Sequence, residues 1–375
     1  MKKETLFFIT FSMLFIFLSC SSEDKNTDPI VTEPPVIVDP PVPDDFIRAA
    51  DVSFLPEIES ANVVLYNSQN QPEKMLTTLK KAGCNAIRIR LWKDPINGNS
   101  GMTEVKSLVS KVKAEGMKVW ITVHYSDTWA DPGSQTKPLA WKNLTFLELK
   151  SALVTYTSLV LSELKPDIIQ IGNETNDGFL WPSGKITTNE AQFLELMSAA
   201  SLKIRNQSPS TKIMLHYGGI NFGTNTAASW FFNKAKTIDY DYIGLSYYPQ
   251  YHGKLLTDVK ATIDNLGALY NKKVIVAETS YPFTLGYNDW TDNVIGLQSQ
   301  LIPEYSATAN GQTNYLLALK SVVKQTNYGI GFAYWGTEWI AFKGNQAKNG
   351  STYENQALWD FSNKVLPAIK VFNKD

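Results

Sequence analysis

From about residue 50 to the C-terminus, short apolar runs alternate eight times with longer segments whose apolar residues recur at i, i+3 and i+4. The strand-like runs are Asp51–Leu55, Asn85–Leu91, Lys118–His124, Asp167–Asn173, Lys212–Tyr217, Tyr242–Tyr247, Lys273–Glu278 and Gly329–Trp335. Between them, Pro72–Ala82, Thr103–Glu115, Thr145–Leu164, Thr188–Arg205, Ala227–Thr237, Leu256–Tyr270 and Thr313–Gln325 carry the helical spacing, and a last helix is expected near Asn363–Val371. Continuous apolar runs are what parallel strands covered by helices on both faces look like. Eight such units with no second compositional block predict an α/β fold, a single (β/α)8 TIM barrel over residues 48–375. The competing doubly wound sheet lacks its glycines. No Gly-x-Gly-x-x-Gly follows the first strand, and no Gly-x-x-x-x-Gly-Lys-Ser/Thr occurs anywhere. Loops leaving candidate strands 3, 4, 7 and 8 are long and aromatic while those entering the strands are short, as in a barrel that works at its C-terminal face.

The first 47 residues are patterned differently. Lys2 and Lys3 precede an apolar-dominated run from Leu6 to Leu18, shorter than the roughly 20 residues a membrane span needs, and this reads as a secretory signal. Leu18-Ser19-Cys20 resembles the lipobox of bacterial lipoproteins, which implies removal of residues 1–19 and acylation of Cys20. Glu23 and Asp24 resemble the acidic surface-export tag of lipoproteins from glycan-degrading Gram-negative bacteria. Residues 20–47 hold Pro29, Pro34, Pro35, Pro40, Pro41 and Pro43, a stalk that extends as polyproline II at about 3.1 Å per residue. The expectation is an exported, outer-membrane or cell-surface lipoprotein, monomeric, that meets the membrane only through its N-terminal lipid.

Composition narrows the field. With 375 residues, 43% of them hydrophobic and 12% aromatic, the chain can bury a large core. Lys+Arg 35 against Asp+Glu 36 leaves a formal net charge of -1, and without a basic stripe nucleic acid is not an expected partner. Once Cys20 is lipidated, Cys84 is the remaining cysteine, so no intrachain disulfide forms and the fold depends on its core. Cys84 itself reads as a packed residue before a strand.

Polar residues that interrupt the apolar runs at their C-terminal ends carry the chemistry. In order they are Arg88 and Arg90 on strand 2, His124 through Asp127 to Trp129 after strand 3, Asn173 and Glu174 after strand 4, Tyr247 and Tyr248 after strand 6, Glu278 on strand 7 and Trp335 on strand 8. Two carboxylates at the working face suit general acid and nucleophile roles; an arginine and a tyrosine can hold the nucleophile ionised, an asparagine can bond a sugar hydroxyl, and tryptophan can support a sugar face. The bland alternative is a set of loop carboxylates in helix caps and structural ion pairs.

Asn-Glu at strand 4 with Glu at strand 7 resembles glycoside hydrolase clan A, the retaining "4/7" barrels. Within that clan, His124-Tyr125-Ser126-Asp127-Thr128-Trp129-Ala130-Asp131-Pro132-Gly133-Ser134-Gln135 followed by Trp141 resembles the signature of glycoside hydrolase family 53. Ile87 to Pro95, Gln170 to Glu174, Gly244 to Pro249 and Ala277 to Pro282 are similar to that family too, so the resemblance runs from about Ala50 to Phe372. It implies an endo-β-1,4-galactanase acting on type I arabinogalactan and pectic galactan, with Glu174 as acid/base and Glu278 as nucleophile. Arg88 is then the arginine that keeps Glu278 ionised, and Tyr248, with Tyr247 as its neighbour and competitor, the strand-6 tyrosine. Trp92, Trp129, Trp141, Trp181, Trp290 and Trp339 fall on or near top-face loops, where aromatics stack on successive sugar units. Trp120, Trp230 and Trp359 read as structural.

No cofactor is expected for the reaction. The three histidines, His124, His216 and His252, show neither His-x-His nor His-Glu-x-x-His spacing, and His124 reads as a hydrogen-bonding residue of the site. Some members of the resembled family carry a structural calcium in the loop after strand 7. Here Asp289, Asp292 and Asn293 are the oxygen donors of that loop, with Asx-turns as the competing explanation. The loop after strand 8 departs from the family's proline-containing pattern and brings in Glu338 as a further carboxylate. Two alternatives to a galactanase stay open at this point: a surface glycan-binding lipoprotein without catalysis, and another clan A glycanase acting on mannan or xylan.

Overall fold

The computed structural model describes residues 45–375, which form one compact unit; the signal, Cys20 and residues 21–44 of the proline-rich stretch lie outside the described residues. Eight parallel strands close into a barrel: β1 (Ile47–Asp51), β2 (Ala86–Leu91), β3 (Lys118–Val123), β4 (Ile168–Ile171), β5 (Lys212–Tyr217), β6 (Tyr242–Ser246), β7 (Lys273–Thr279) and β8 (Gly329–Tyr334). Each pairs with its neighbours in sequence, and β8 pairs with β1 to shut the ring. Helices cover the outside, among them α1 (Leu55–Ser60), α2 (Met75–Lys81), α3 (Met102–Ala114), α4 (Phe146–Leu164) and α5 (Ile186–Gln207). The helix α4 starts where Thr145 and Glu148 form a reciprocal capping box, which satisfies two otherwise unpaired backbone groups. Among the described residues no helix is long and apolar enough to cross a membrane.

Two elements differ from expectation. The first strand is Ile47–Asp51 instead of Asp51–Leu55, so it also takes in the residue that a boundary at 47 leaves to the linker. Asp51 Oδ1 accepts hydrogen bonds from the Ser53 amide and hydroxyl, which turns the chain, and Leu55 with Pro56 behind it opens α1. The expected last helix at Asn363–Val371 is a 3-10 turn at Pro367–Phe372. Asn363 is left-handed at φ 59°, and Pro367 has no N–H to continue a helix from above. The turn still closes the fold, with Phe372 stacked on Phe332 of β8 at 5.9 Å.

Inside the barrel, alternate residues point inward. The lower layer is apolar: Ala49, Ala86, Trp120, Ile168, Met214, Ala277 and Ala333 cluster there, with the large Trp120 ring matched by four alanines. Gly244 belongs to the same fit, because a Cβ on it would lie 2.6 Å from the Met214 sulfur. Two residues further along the first six strands the interior turns polar, giving Asp51, Arg88, Thr122, Gln170, His216 and Ser246, all of them buried. The Arg88 guanidinium carbon sits 5.7 Å from the centroid of the Trp120 ring, at the junction of the two layers.

Candidate active site

Above the polar layer lies a cleft of about 470 Å³ lined by Asp51, Arg88, Arg90, His124, Trp129, Asn173, Glu174, Tyr248, Glu278, Trp335, Trp339 and others. Glu278 is the last residue but one of β7 and is buried, with both of its oxygens held. Arg88 Nη2 donates to Oε1 at 2.6 Å, and the Tyr248 hydroxyl donates to Oε2 at 2.9 Å. The other arm of Arg88 donates to Asp51 at 2.7 Å, while Nη2 also reaches Asn173 Oδ1 at 2.8 Å. One guanidinium thus ties β1, β2, β4 and β7 to a single point. Burial pushes the Glu278 carboxyl up, and Arg88 and Tyr248 pull against that push. Burial, reinforced by the Glu278 charge, holds the Tyr248 phenol well above its ordinary range, so it stays a donor.

Glu174 follows β4 through Gly172 and Asn173, and its own backbone is left-handed at φ 45°. A non-glycine residue held there costs about 1–3 kcal/mol, and such residues cluster at functional sites. Gly218 leaves it room, since a Cβ at that position would lie 2.8 Å from the Glu174 carboxyl. The Ser246 hydroxyl donates to Glu174 Oε1 at 2.5 Å, and Ser246 Oγ lies 3.0 Å from His216 Nε2. Burial and then the Glu278 charge push the Glu174 carboxyl up to about 8. One carboxylate oxygen of each glutamate and a ring nitrogen of His216 lie within 4.8 Å of one another. Arg88 already supplies the positive charge there, and both His216 nitrogens are taken by protein hydrogen bonds, so the arrangement is an acid pair in place of a metal site. Its chemistry is that of one proton-holding carboxyl facing one ionised carboxylate.

An aromatic wall forms the rest of the cleft. Trp335 directly follows β8 and meets Tyr353 at 4.7 Å and Trp339 at 5.4 Å, while Trp129 stacks on Trp339 at 6.4 Å. Behind them Arg90 lies flat among Phe54, Trp92 and Trp129, its guanidinium 4.0 to 4.5 Å from the three ring centroids, and donates to Ser100. Burial lowers Arg90 to about 10. His124 accepts from the Ala130 amide at 3.0 Å; burial and the nearby arginines depress its pKa, so it is neutral. Asn173 donates to the Ala130 carbonyl at 2.8 Å, which sets its amide orientation.

Several expected residues fall elsewhere. Asp127 is outside this cleft, where it accepts from the Asp94 and Leu139 amides and staples two loops. Tyr247 points outward from the barrel and donates to the Gly253 carbonyl, which leaves Tyr248 alone on Glu278. Trp92 backs Arg90, Trp141 packs on Tyr156, Trp181 lines an outer groove with Asp127, and Trp290 lies exposed. Trp230, expected to be structural, is also exposed, whereas Trp120 and Trp359 are buried. Glu338 is buried against the Phe54 amide and does not line the cleft; burial and the charge of Asp51 push it up to about 8. Asp292 faces solvent, but Asp289 and Asn293 are buried beside Glu354. Asp51, Gln135, Gln170, His216, Ser246 and Tyr353 were not singled out as site residues. For the strand residues, the signal was parity with the inward positions two before them.

Comparison with known proteins gives one consistent answer. The profile described as glycosyl hydrolase family 53 matches residues 47–372. An endo-beta-1,4-galactanase of Bacillus subtilis (strain 168) is 32% identical over 381 residues, covering 88% of this chain and 85% of that protein. An arabinogalactan endo-beta-1,4-galactanase of Cellvibrio japonicus (strain Ueda107) is 33% identical over 350 residues, covering 88% and 91%. Among solved structures, the GH53 catalytic domain of Ignisphaera aggregans superimposes with a TM-score of 0.82 at 35% identity, covering 89% of this chain and 97% of that one.

Proposed function

Because the chain belongs to glycosyl hydrolase family 53, we propose that it hydrolyses internal β-1,4-galactosidic bonds of arabinogalactan and pectic galactan, with retention at the anomeric carbon. The observation that carries this reading is the separation of the two carboxyl groups. Oxygens of Glu174 and Glu278 lie within 4.8 Å, which matches the roughly 5–5.5 Å of a double displacement and leaves no room for the water that an inverting pair admits between them.

Glu278, ionised under Arg88 and Tyr248, attacks the anomeric carbon while Glu174 gives its proton to the departing glycosidic oxygen. The bond to the leaving chain breaks as the galactosyl ester on Glu278 forms. That ester carries no charge, so the main electrostatic support for the Glu174 proton disappears and Glu174 becomes a base. It then takes a proton from a water that attacks the ester, which releases the sugar and restores both carboxyls. Trp129, Trp335, Trp339 and Tyr353 offer ring faces to the galactosyl units on either side. The two carboxylates need no cofactor for these steps.

A structural cation fits the loop after β7. Asp289 Oδ2, Asn293 Oδ1 and Glu354 Oε2 are buried without a hydrogen-bond partner, a donor set suited to a hard ion such as calcium. Asp289 uses its other oxygen for an Asx-turn to Thr291. An ion held there would brace the loops that follow β7 and β8 and take no part in the chemistry. The proposal extends to location: a monomeric, exported outer-membrane or cell-surface lipoprotein, supported by the sequence from Lys2 to Cys20. Labelled palmitate that enters the wild type and equally enters Cys20→Ala would refute the anchor.

Incubation with unbranched β-1,4-galactan, mannan and xylan tests the activity. New reducing ends from galactan, with long products preceding short ones, are expected. Binding without cleavage would instead point to a glycan-binding protein, and cleavage of mannan or xylan alone to another clan A enzyme.

A further inference from the structure

Resting on the role of Glu174 as acid/base, we propose that Ser246 and His216 are positioning residues that fix which Glu174 oxygen carries the proton and favour its carboxylate for the water-activating step. The argument starts from hydrogen-bond direction. Gln170 Nε2 stands 3.1 Å from the Gly172 carbonyl and 3.2 Å from Asn173 Oδ1, two acceptors that identify it as the amide nitrogen. The same nitrogen lies 2.8 Å from His216 Nδ1, and the Glu174 backbone N–H donates to that Nδ1 at 3.3 Å. Nδ1 also lies 3.2 Å from Asn173 Oδ1, but that oxygen already accepts from Arg88 at 2.8 Å. A backbone N–H can only donate and the Gln170 amide makes the shortest contact, so His216 Nδ1 accepts and the ring proton sits on Nε2. Nε2–H therefore donates to Ser246 Oγ at 3.0 Å. The serine's own proton then goes to Glu174 Oε1 at 2.5 Å.

Two consequences follow for the chemistry. Oε1 is occupied as an acceptor, so the transferable proton is confined to Oε2. The serine O–H also binds the carboxylate more strongly than the acid, and so opposes the burial and the Glu278 charge that keep Glu174 protonated. The other charged or titratable groups facing Glu174 are Glu278, Arg88 and Asp131, with the phenols of Tyr217, Tyr248 and Tyr353. Among the described residues Ser246 is the partner that hydrogen-bonds its carboxyl. His216 is neutral, since burial and Arg88 depress its pKa, so the chain orients a proton without adding a charge.

Ser246→Ala, Ser246→Thr and His216→Asn test the proposal with an aryl β-galactobioside whose good leaving group needs little acid help. Ser246→Ala is expected to release a burst of phenol and then turn over about tenfold to hundredfold more slowly, as the galactosyl-enzyme accumulates. The alkaline limb of its kcat/KM profile moves up by about one pH unit. Ser246→Thr restores both readouts, and His216→Asn shifts the limb in the same direction by less. Burst size relative to active enzyme and limb position do not depend on how much of the variant is folded, so instability does not mimic either. Equal slowing of both steps with an unmoved limb would overturn the proposal. A wild type that cleaves neither galactan nor the aryl substrate would overturn the galactanase reading instead.

Discussion

Replacing Glu278 with glutamine tests whether the pair itself sets the proton affinity of Glu174. Glutamine keeps the volume and the burial but removes the charge, whereas Arg88 and Tyr248 stay in place. Two unit charges within about 4.8 Å of one another in an effective dielectric of about 20 interact by on the order of 3.5 kcal/mol, or about 2.5 pKa units. Glu174 in Glu278→Gln is therefore expected to titrate near 5.5, roughly 2.5 units below the value of about 8 that burial and the Glu278 charge produce in the wild type. Arg88, relieved of one of its two carboxylates, acts in the same direction. Carbon-13 NMR of carboxyl-labelled glutamate reads the titration directly, and the Glu174→Gln, Glu278→Gln double variant assigns the signal by its disappearance. Turnover is lost in Glu278→Gln, but galactan affinity is kept because the aromatic wall is untouched. A Glu174 signal that titrates within about half a unit of its wild-type value would refute the reasoning, for burial alone would then hold the proton and forming the ester could not release it.

Further outcomes follow from the same contacts. Glu174→Gln should spare the first step on activated substrates and lose it on galactan, which parallel stopped-flow runs on both would show. The same variant should gain stability: the unfolded carboxyl ionises near 4.5 whereas the folded one keeps its proton to about 8, so the native state loses stability as pH rises between them. Thermal melts of Glu174→Gln should exceed wild type by on the order of 1–3 kcal/mol at pH 8 and converge with it near pH 4. Tyr248→Phe removes a hydrogen bond to a charged group worth about 1.5–3 kcal/mol, which predicts a roughly tenfold to hundredfold lower kcat/KM and an acid limb moved to higher pH; Tyr247→Phe should leave that limb where it was. Trp120→Ala empties the lower barrel layer and should cost about 3–5 kcal/mol in denaturant unfolding.

The fold was legible because parallel strands buried on both faces leave unbroken apolar runs, and each of the other seven lies within about two residues of its expected span. The first strand was missed because Arg48 breaks its run; that side chain reaches out to the Gly83 and Phe46 carbonyls at the opposite end of the barrel. In the site, Glu174, Glu278 and Trp335 stood out because they stand where an apolar run ends, and Arg88 because a charged residue inside a strand buried on both faces needs a partner. Gln170, His216 and Ser246 did not, since a single polar residue inside such a run resembles an ordinary interruption. Their partners lie mostly on the neighbouring strands β4, β5 and β6, some 30 to 46 residues away in sequence, and only the pairing of those strands brings them within reach. The Tyr247 and Tyr248 ambiguity had a local answer: Gly244 and Ser246 face inward, so the residue two further on does too. The cation donor Glu354 lies 65 residues beyond Asp289 in sequence, a distance that no short spacing pattern spans.

The Arg88 clasp joins strands from both ends of the chain, β1 through Asp51 and β7 through Glu278. No contiguous half of the polypeptide contains the parts needed to ionise the nucleophile and to hold its proton donor. A refolding intermediate with most of its helices in place but β8 not yet seated against β1 has its secondary structure and none of its turnover. Recovered activity therefore counts closed rings, and it should trail the far-ultraviolet dichroism signal whenever closure is the slow step.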